Sequence, residues 1–541
     1  MPFENTGLFM FICKCNGEIK SVDFEKLERY IKKLVDISNI YFINELCRDP
    51  AILRKSLKDQ NIKTMVIAGC SLYKEAFIEM VESSGLNPLS LELIPFRELS
   101  LTIAKDYSAY ATLKLSLVLY SIFEKVRHSD VDLLRNAKPR RIKTQSKVSR
   151  RSLFRALPQG FTRYEPVPII SRERCIGATV CRFCIDACPR RVLSNIGDDR
   201  LSLDHEHCSI CGVCVAVCPT GAIQIPNSTD EQLDAQIRGI LMNCRDEIPS
   251  KIIMFVDSND YHYLLNSFLD RKLSLPLEVF PLELPTLGLI SENILLSSII
   301  YGAHGILIPI IRDENKLDYL HVLYRKVFIV KEIMKSAGLD QDRIIVAEVE
   351  PDNLDLLIEK INQIRSRVRA EKIEKLATKQ FIGDRRVNFV SIIRTFISNN
   401  TPVSDIIDYG DPCPFGEVII DREKCTMCEL CYSKCPTRAF TIIKEVDMIT
   451  LAFNYQKCVG CTLCSSICPE NAISLKRYLS LSNLLNDSPR VLITQELVKC
   501  SRCGKPFITR GKLRKIEKIY EGMGAAGVDK LQSLRLCPEC K

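Results

Sequence analysis

A quartet of cysteines that occurs four times constrains this chain more than any other feature of its sequence. Three quartets share the spacing C-x2-C-x2-C-x3-C-P, and the first quartet differs only in having five spacer residues between its first two cysteines. Three thiols on one tight loop can cap three corners of an iron–sulfur cube, and the fourth, turned away before its proline, can reach a neighbouring cube. The quartets are Cys175, Cys181, Cys184 and Cys188; Cys208, Cys211, Cys214 and Cys218; Cys425, Cys428, Cys431 and Cys435; and Cys458, Cys461, Cys464 and Cys468.

The quartets form two pairs, and each pair resembles the bacterial two-cluster ferredoxin family over about 60 residues. Crossed ligation within each pair predicts four [4Fe–4S] clusters in two modules. Structural zinc is the alternative, but zinc sites favour pairs of C-x2-C rather than four cysteines and a proline. The expected ligand sets are Cys175, Cys181, Cys184 with Cys218; Cys208, Cys211, Cys214 with Cys188; Cys425, Cys428, Cys431 with Cys468; and Cys458, Cys461, Cys464 with Cys435.

The N-terminal residues alternate strand and helix, which predicts an α/β domain with a parallel sheet. The predicted strands are Leu8–Cys13, Asn39–Ile43 and Lys63–Ala68, and a helix is expected from near Tyr73. Since the carboxyl ends of parallel strands share one edge of the sheet, thiols at these ends can meet. The alternative is a set of unrelated buried cysteines. The thiols concerned are Cys13, Cys15, Cys47 and Cys70.

Several N-terminal segments resemble the N-terminal domain of the A subunit of heterodisulfide reductase. The resemblance implies a fifth [4Fe–4S] cluster at the same four cysteines. Ser100 stands where the family often has a further cysteine, and no flavin domain follows. Because the Gly-x-Gly-x-x-Gly of Gly522–Gly527 has no βαβ context, no flavin is expected. The segments are Gly7–Cys15, Cys47–Pro50, Val66–Ser71, Gly85–Pro88 and Phe96–Glu98.

A second α/β pattern lies between the two cysteine-rich modules. The run from Leu284 to Arg343 resembles the delta subunit of the methyl-viologen-reducing hydrogenase, but no cysteine occurs between Cys244 and Cys413. The resemblance therefore implies a docking or spacing scaffold without a cofactor, and these two cysteines are predicted to be ordinary. The predicted strands are Lys251–Val256, Leu277–Phe280, Gly305–Ile310 and Arg343–Val349.

The C-terminal tail carries two C-x2-C knuckles, a pattern typical of a tetrahedral zinc ribbon. Small residues beside the ligands favour zinc, although a cubane or a single iron can use the same thiols. The four predicted ligands are Cys500, Cys503, Cys537 and Cys540.

The net charge and the hydropathy of the chain limit the classes of partner and the cellular location that the sequence predicts. The formal net charge of +9 counts every cysteine as neutral, and five clusters and one zinc would bring it to roughly −3. We therefore expect no nucleic-acid partner. No signal peptide or transmembrane segment is expected, since the best apolar run, Ala111–Phe123, is short and contains Lys114. Thiolate clusters need a reducing compartment, which predicts the cytoplasm.

Two polar segments each allow two interpretations. His205 and His207 precede a cysteine loop, and exposed histidines are favoured over residues that tune a cluster. The basic segment is favoured as a solvated linker over a docking strip for an acidic partner. Its basic residues are Arg140, Arg141, Lys143, Lys147, Arg150 and Arg151.

The sequence thus predicts an α/β and α+β multidomain protein that transfers electrons within a larger complex. Expected partners are redox subunits of heterodisulfide-reductase, hydrogenase or formate-dehydrogenase type. The alternatives are a non-redox assembly module and a reductase that acts on a disulfide at the N-terminal cluster. The predicted domains are the N-terminal domain 1–134, a basic linker 135–165, ferredoxin module 1 at 166–227, the hydrogenase-delta-like domain 228–385, a linker 386–412, ferredoxin module 2 at 413–477 and the zinc-ribbon-like tail 478–541.

Overall fold

The computed structural model divides the chain into two compact units. The first comprises 1–175, 184–194 and 202–400, and the second comprises 176–183, 195–201 and 401–541. The residues whose structure is described are 7–35, 39–48, 51–58, 62–103, 108–130, 134, 137, 139–143, 162–244, 248, 250–311, 317–350, 354–368, 380, 381, 383–397, 405–522 and 533–541.

The N-terminal domain contains the predicted parallel sheet, which has a fourth strand, Leu91–Pro95, beyond the three that were predicted. Its two central strands, Leu8–Cys13 and Thr64–Gly69, are buried along their whole length and apolar except for Thr64, as expected where helices cover both faces of a sheet. Asp23 begins the first long helix by accepting a hydrogen bond from the Lys26 amide. In spatial order the strands are Ile40–Ile43, Leu8–Cys13, Thr64–Gly69 and Leu91–Pro95, and the helices are Phe24–Leu34, Ala51–Ser56, Lys74–Ser83, Phe96–Leu101 and Ser108–Arg127.

The middle domain repeats the same strand order in a second parallel sheet, so the predicted α/β fold is confirmed here too, with shifted strand ends. In spatial order the strands are Val279–Leu284, Ile252–Asp257, Gly305–Ile311 and Ile344–Val349. The helices are Asp230–Asn243, Ser258–Asp270, Glu292–Ile300, Leu317–Ser336, Asp355–Val368 and Arg385–Ile397.

The apolar run Ala111–Phe123 lies within the helix Ser108–Arg127, which packs on the helix Asp230–Asn243. Gly239 permits this close approach, because a Cβ there would lie 3.1 Å from the Cα of Ser121. Among the helices that the structure describes, none combines the length and the apolar character that crossing a membrane requires.

Both ferredoxin modules have the same plan: an antiparallel pair of outer strands, an inner hairpin and two short helices. In module 1 the outer strands are Ile169–Ile170 and Ile223–Gln224, the hairpin is Leu193–Asn195 with Leu201–Leu203, and the helices are Phe183–Asp186 and Val213–Val217. In module 2 the outer strands are Glu417–Ile420 and Ile473–Lys476, the hairpin is Phe440–Lys444 with Met448–Phe453, and the helices are Leu430–Ser433 and Leu463–Ser466.

The C-terminal tail extends the inner hairpin of module 2 into a four-stranded antiparallel sheet. Arg490–Lys499 pairs with Met448–Phe453 and then with Pro506–Thr509. A helix, Arg510–Glu521, follows, and Leu481–Leu485 forms a short helix earlier in the tail. The tail is thus continuous with module 2 through main-chain hydrogen bonds. A further pair of short strands joins Ile406–Ile407 to Leu479–Ser480.

Both predicted linkers contain regular structure. The segment 386–412 was expected to be a linker, but most of the helix Arg385–Ile397 lies in it, with nine buried side chains. In 135–165, the strand Arg140–Lys143 pairs with Thr162–Glu165. Val390, Ile393 and Ile397 have the apolar spacing of one helix face, so the sequence itself carries a helix signal in the first of these segments. Lys147, Arg150 and Arg151 lie outside the described residues.

Candidate iron–sulfur and metal sites

The three regular cysteine loops share an unusual backbone conformation. In each loop the residues just before and just after the second cysteine have positive φ, between 55° and 77°. A left-handed conformation costs a non-glycine residue about 1 kcal/mol, so it persists only where the surrounding structure enforces it. The pairs are Ile210 and Gly212, Met427 and Glu429, and Gly460 and Thr462.

The Cys-Pro end of every quartet also forms the same turn. In all four, the third residue after the cysteine has positive φ and its amide donates to the carbonyl of that cysteine, at 3.1 to 3.3 Å. Proline fixes the start of the turn, and the turn directs the fourth thiol away from its own loop. The left-handed residues are Arg191, Gly221, Arg438 and Asn471.

Backbone amides point at several of the thiols. Cys218, Cys435 and Cys468 each accept a hydrogen bond at 3.3 Å from the amide four residues later. The sulfurs of Cys208 and Cys458 accept one at 3.4 Å from the amide two residues later. Amide donors stabilise thiolates, and they adjust the potential of a cluster that those thiolates hold. The loops therefore suit negatively charged sulfur ligands.

One pocket in module 2 is lined by four thiols from both quartets. Cys425, Cys428 and Cys431 of one loop meet Cys468 of the other around about 400 Å³ of space, part of which is open to solvent. This is the grouping that crossed ligation predicts. The remaining lining residues are Thr426, Met427, Glu429, Leu430, Ile442, Leu451, Glu470 and Ile473.

The thiols of the other predicted set in module 2 also lie near one another. Burial raises the pKa of Cys464, and the charges of Cys458, Cys461 and Cys435 raise it further, as does the charge of Cys431 from the other set. In module 1, burial likewise raises the pKa of Cys211, and Cys208 and Cys188 add to the shift. Thiols in such groups become thiolates only around a cation, which is what an iron–sulfur core supplies. The residues present therefore fit [4Fe–4S] clusters.

The first loop of module 1 departs from the others, as its spacing indicates. Gly177 has a φ of 101°, and a Cβ there would lie 3.0 Å from the carboxyl carbon of Asp199. The Asp199 side chain accepts a hydrogen bond from the Thr179 amide at 3.0 Å. The longer spacer between Cys175 and Cys181 is therefore folded against the inner hairpin. Ligation by the set Cys175, Cys181, Cys184 and Cys218 remains a prediction.

The N-terminal thiols gather at the carboxyl edge of the sheet. Cys15 donates to the sulfur of Cys13 at 3.6 Å, and this hydrogen bond lowers the pKa of Cys13 to about 6. The pKa of Cys15 is raised, first by its hydrogen bond to Cys13 and also by the charges of Cys47 and Cys70. Four thiols thus lie within electrostatic reach of one another, and their donor set fits an iron–sulfur cluster.

Glu98 is a buried carboxylate beside this N-terminal group. It is 1% exposed and accepts hydrogen bonds from the thiol of Cys70 at 3.3 Å and from the hydroxyl of Ser71 at 2.7 Å. Burial raises the pKa of Cys70 to about 12, and the charge of Glu98 contributes to this shift. Sequence reasoning noted the Phe96–Glu98 segment only as part of a resemblance. It gave no role to the carboxylate.

Three arginines donate hydrogen bonds to carbonyls of the cysteine loops, a role that sequence reasoning assigned to none of them. Arg385 is buried, donates to the carbonyl of Cys218 at 3.0 Å, and forms an ion pair with Asp230 at 2.7 Å. Arg140 donates to the carbonyl of Cys208, and Arg477 donates to that of Gly460 at 3.0 Å. Each guanidinium places a positive charge beside a loop that would carry a negative cluster. No sequence signal marks Arg385 or Arg477 among the many basic residues.

The four tail cysteines converge on a single point. Their sulfurs all lie within 4.8 Å of one another, and those of Cys503 and Cys537 are 3.7 Å apart. Tetrahedral metal–sulfur bonds of about 2.3 Å place the ligand sulfurs about 3.8 Å apart. Backbone amides of Cys537, Cys503 and Arg502 lower the pKa of Cys500 to about 6. The geometry fits one tetrahedral ion, and it is too tight for a cubane, whose thiolates bind four separate irons.

The remaining candidate residues have ordinary surroundings. His205 and His207 are exposed, and the ring of His207 contacts Asp204 at 2.7 Å. Cys244 and Cys413 are buried, and the thiol of Cys413 lies 3.5 Å from the carbonyl of Phe415.

Comparison with protein families defines the class of these sites. Residues 418–475 match the 4Fe-4S dicluster domain, and residues 201–224 match the 4Fe-4S binding domain. Residues 252–376 match the methyl-viologen-reducing hydrogenase delta subunit. The chain is therefore an iron–sulfur protein with ferredoxin-type modules and a delta-subunit-like middle domain. The match in module 1 covers its second quartet, Cys208–Cys218, and leaves out the irregular first loop.

Curated relatives point to one kind of polypeptide, the iron-sulfur A subunit of heterodisulfide reductases. The chain is similar to the first of two such A subunits of the CoB–CoM heterodisulfide reductase of Methanopyrus kandleri, with 23% identity over 42% of this chain and 40% of the relative. It is 25% identical to the A subunit of the H(2):CoB-CoM heterodisulfide,ferredoxin reductase of Methanothermobacter marburgensis over the same shares. A protein of Archaeoglobus profundus, described as like the heterodisulfide reductase A subunit, is 32% identical over 48% of this chain and 42% of its own. The chain spans about 40% of the length of the curated relatives it matches.

Proposed function

We propose that this protein is the electron-transfer subunit of a heterodisulfide-reductase-like or hydrogenase-linked complex. Its iron–sulfur clusters would relay single electrons between partner subunits. The supporting observation is the pocket in which Cys425, Cys428 and Cys431 meet Cys468, because this exchange of ligands belongs to paired redox cubanes. The relatives add support, since their names describe subunits of heterodisulfide reductases.

The proposed cofactors are four [4Fe–4S] clusters in the two modules, a fifth at Cys13, Cys15, Cys47 and Cys70, and one zinc in the tail. When bound, these clusters would supply one-electron chemistry. The protein holds several of their thiols with amide donors, buries many of them, and places arginines beside two of the cysteine loops. We propose that the protein binds no flavin. We also propose that it resides in the cytoplasm, because thiolate clusters require reducing conditions.

The other candidate functions have weaker support. A reductase that acts on a disulfide at the N-terminal cluster needs an accessible thiol. Cys13 is 1% exposed, and Cys15 and Cys70 are each 8% exposed, so three of the four thiols are buried and Cys47 is partly exposed. A non-redox assembly module would need one structural metal rather than two dicluster modules. The burial of most of the N-terminal thiols and the presence of two dicluster modules both favour electron relay.

Metal analysis of anaerobically purified protein tests this proposal. We expect about 20 iron atoms and about one zinc per chain, with clusters that accept and return electrons reversibly in an electron paramagnetic resonance titration. A content of about 16 iron atoms would mean that the predicted N-terminal cluster is absent. About 8, or clusters that no low-potential reductant can reduce, would reject the proposed function. Stoichiometric flavin, or NADH turnover without partners, would reject a pure relay.

A further inference from the structure

The irregular first loop of module 1 contributes to the compact unit that contains module 2. The segment 176–183, which includes Cys181, belongs to the same unit as 401–541. The hairpin turn that carries Asp199 belongs to this unit too, and Asp199 holds the spacer by accepting a hydrogen bond from the Thr179 amide at 3.0 Å. The five-residue spacer, which is the irregular feature of this quartet, therefore lies with one cysteine of module 1 in the unit of module 2.

Phe183 occupies a loop position that faces a cluster site in module 2. It immediately precedes the third cysteine of its quartet, where the regular loops have Val213, Leu430 and Leu463. Leu430 lines the four-thiol pocket of module 2. Phe183 is only 7% exposed. The irregular loop therefore carries an aromatic ring where a regular loop carries an aliphatic side chain beside its cluster.

Arg477 is bound to a cysteine loop of module 2. Its Nε and Nη2 donate to the carbonyl of Gly460 at 3.2 and 3.0 Å, and Gly460 lies between Cys458 and Cys461. Burial raises the pKa of Cys461, and the positive charge of Arg477 opposes this rise. The guanidinium therefore lies within electrostatic reach of a thiol that the second cluster of module 2 would use.

The two side chains contact each other. The guanidinium carbon of Arg477 lies over the ring of Phe183, 5.7 Å from its centroid, which is within the range of a cation–π interaction. Arg477 also pairs with Asp411 at 3.2 Å, so hydrogen bonds to Gly460 and Asp411 fix the plane of the guanidinium that meets the ring. A single arginine thus contacts residues from cysteine loops of both modules.

We propose that Phe183 and Arg477 are positioning residues that hold segment 181–183 against segment 458–461, so that electrons pass between the two modules at this contact. This inference rests on the proposed function and adds the connection between module 1 and module 2. In each transfer one cluster loses an electron and the other gains it, and no bond or proton changes. Because electron transfer slows steeply as two clusters move apart, the residues that fix their separation control its rate. The cluster sites concerned are that of Cys175, Cys181, Cys184 with Cys218 and that of Cys458, Cys461, Cys464 with Cys435.

Flash photolysis of the full-length holoprotein tests this contact. A deazaflavin radical generated by light delivers less than one electron per chain, and the electron then redistributes among the clusters at a rate independent of protein concentration. We expect redistribution between the modules to be severalfold slower in F183L and in R477K. Leucine is the residue of the module 2 loops, and lysine keeps the charge but loses the planar guanidinium. F183Y keeps the ring and should retain the wild-type rate.

Electron paramagnetic resonance of samples frozen at successive times shows which module holds the electron. The variants C208S and C458S each damage one module, so their spectra assign the signals. In the double variant F183L/R477K, both substitutions break the same contact, so transfer should be no slower than in the slower single variant.

The control variant is R490K. Arg490 is another arginine of module 2 that bonds a main-chain carbonyl, that of Val418, at 2.9 Å. This variant should transfer electrons at the wild-type rate. Wild-type rates in F183L and R477K would overturn the proposed contact. An equal slowing in the control, or effects that multiply in the double variant, would also overturn it.

The first reduction step separates this inference from the proposed function. The radical should reduce clusters of the wild type and of every variant equally fast. If clusters are reduced but no electron passes between the modules of the wild type, only the proposed contact is wrong. If no cluster is reduced in any of the proteins, the proposed function fails first. Unchanged iron contents and midpoint potentials show that the variants are folded and that the driving force is the same.

Discussion

Crossed ligation in module 2 can be tested by combining substitutions in pairs. Cys435 belongs to the first quartet of module 2, but its charge adds to the rise that burial causes in the pKa of Cys464, which belongs to the second quartet of that module. We therefore expect Cys435→Ser to damage the cluster of Cys458, Cys461 and Cys464. A single variant shows that a cluster is lost but leaves open which one, so the informative measurement is the additivity of two substitutions.

The expected magnitude follows from the ligand sets. Each single variant, C425S, C435S or C458S, should lose up to four of about 20 irons. C435S/C458S should lose no more than either single variant, because both thiols serve one cluster. C425S/C435S should lose twice as much, up to about eight irons, because two clusters are damaged.

Iron analysis and Mössbauer spectroscopy of anaerobically purified variants would measure these losses. C425S/C468S is a second non-additive pair, since both thiols line the four-thiol pocket. The reverse pattern would refute crossed ligation: additive loss in C435S/C458S with non-additive loss in C425S/C435S.

Burial lowers the pKa of Lys114 to about 7, so above that pH the unfolded chain binds more protons than the folded chain. The free energy of unfolding of the wild type should therefore rise by about 2 kcal/mol between pH 7 and 9 relative to that of Lys114→Met. Denaturation followed by circular dichroism measures this difference, and the same pH dependence in both proteins would contradict it. In Gly288→Ala, the added Cβ would clash with the carbonyl of Cys211, which should cost about 1–3 kcal/mol in denaturant titrations of the metal-loaded protein. Gly522→Ala, whose added Cβ has its nearest atom at 3.4 Å, should cost far less. Cys503→Ser should remove the zinc and leave the iron content unchanged, and a loss of iron instead would identify an iron site.

The sequence predicts most of the local structure because the relevant signals are local. The spacing of the quartets and the apolar runs of the parallel strands lie within short windows of the chain. The sequence also indicates some of the positions with left-handed backbone. Gly212 stands at the loop position that Glu429 occupies in another loop, and Gly460 stands at the position of Met427. Comparing the aligned quartets could have identified these two residues.

Contacts between distant segments could not be predicted in this way. Arg385 bonds the carbonyl of Cys218 across 167 residues, and nothing in its neighbourhood distinguishes it from other basic residues. The same holds for Gly288, whose lack of a side chain matters only because Cys211 lies against it. The tail was predicted as a separate ribbon because a sequence shows knuckles but does not show strand pairing.

The pairing of the tail with module 2 decides where the chain can be shortened. Arg490–Lys499 covers one side of Met448–Phe453, whose own partner on the other side is Phe440–Lys444. A protein that ends at residue 477 would keep every ferredoxin cysteine but expose the main-chain edge of a largely apolar strand. Exposed edges of this kind recruit strands from other molecules, so such a fragment should aggregate. The tail therefore also covers a strand edge of module 2 that would otherwise be free to pair with other molecules.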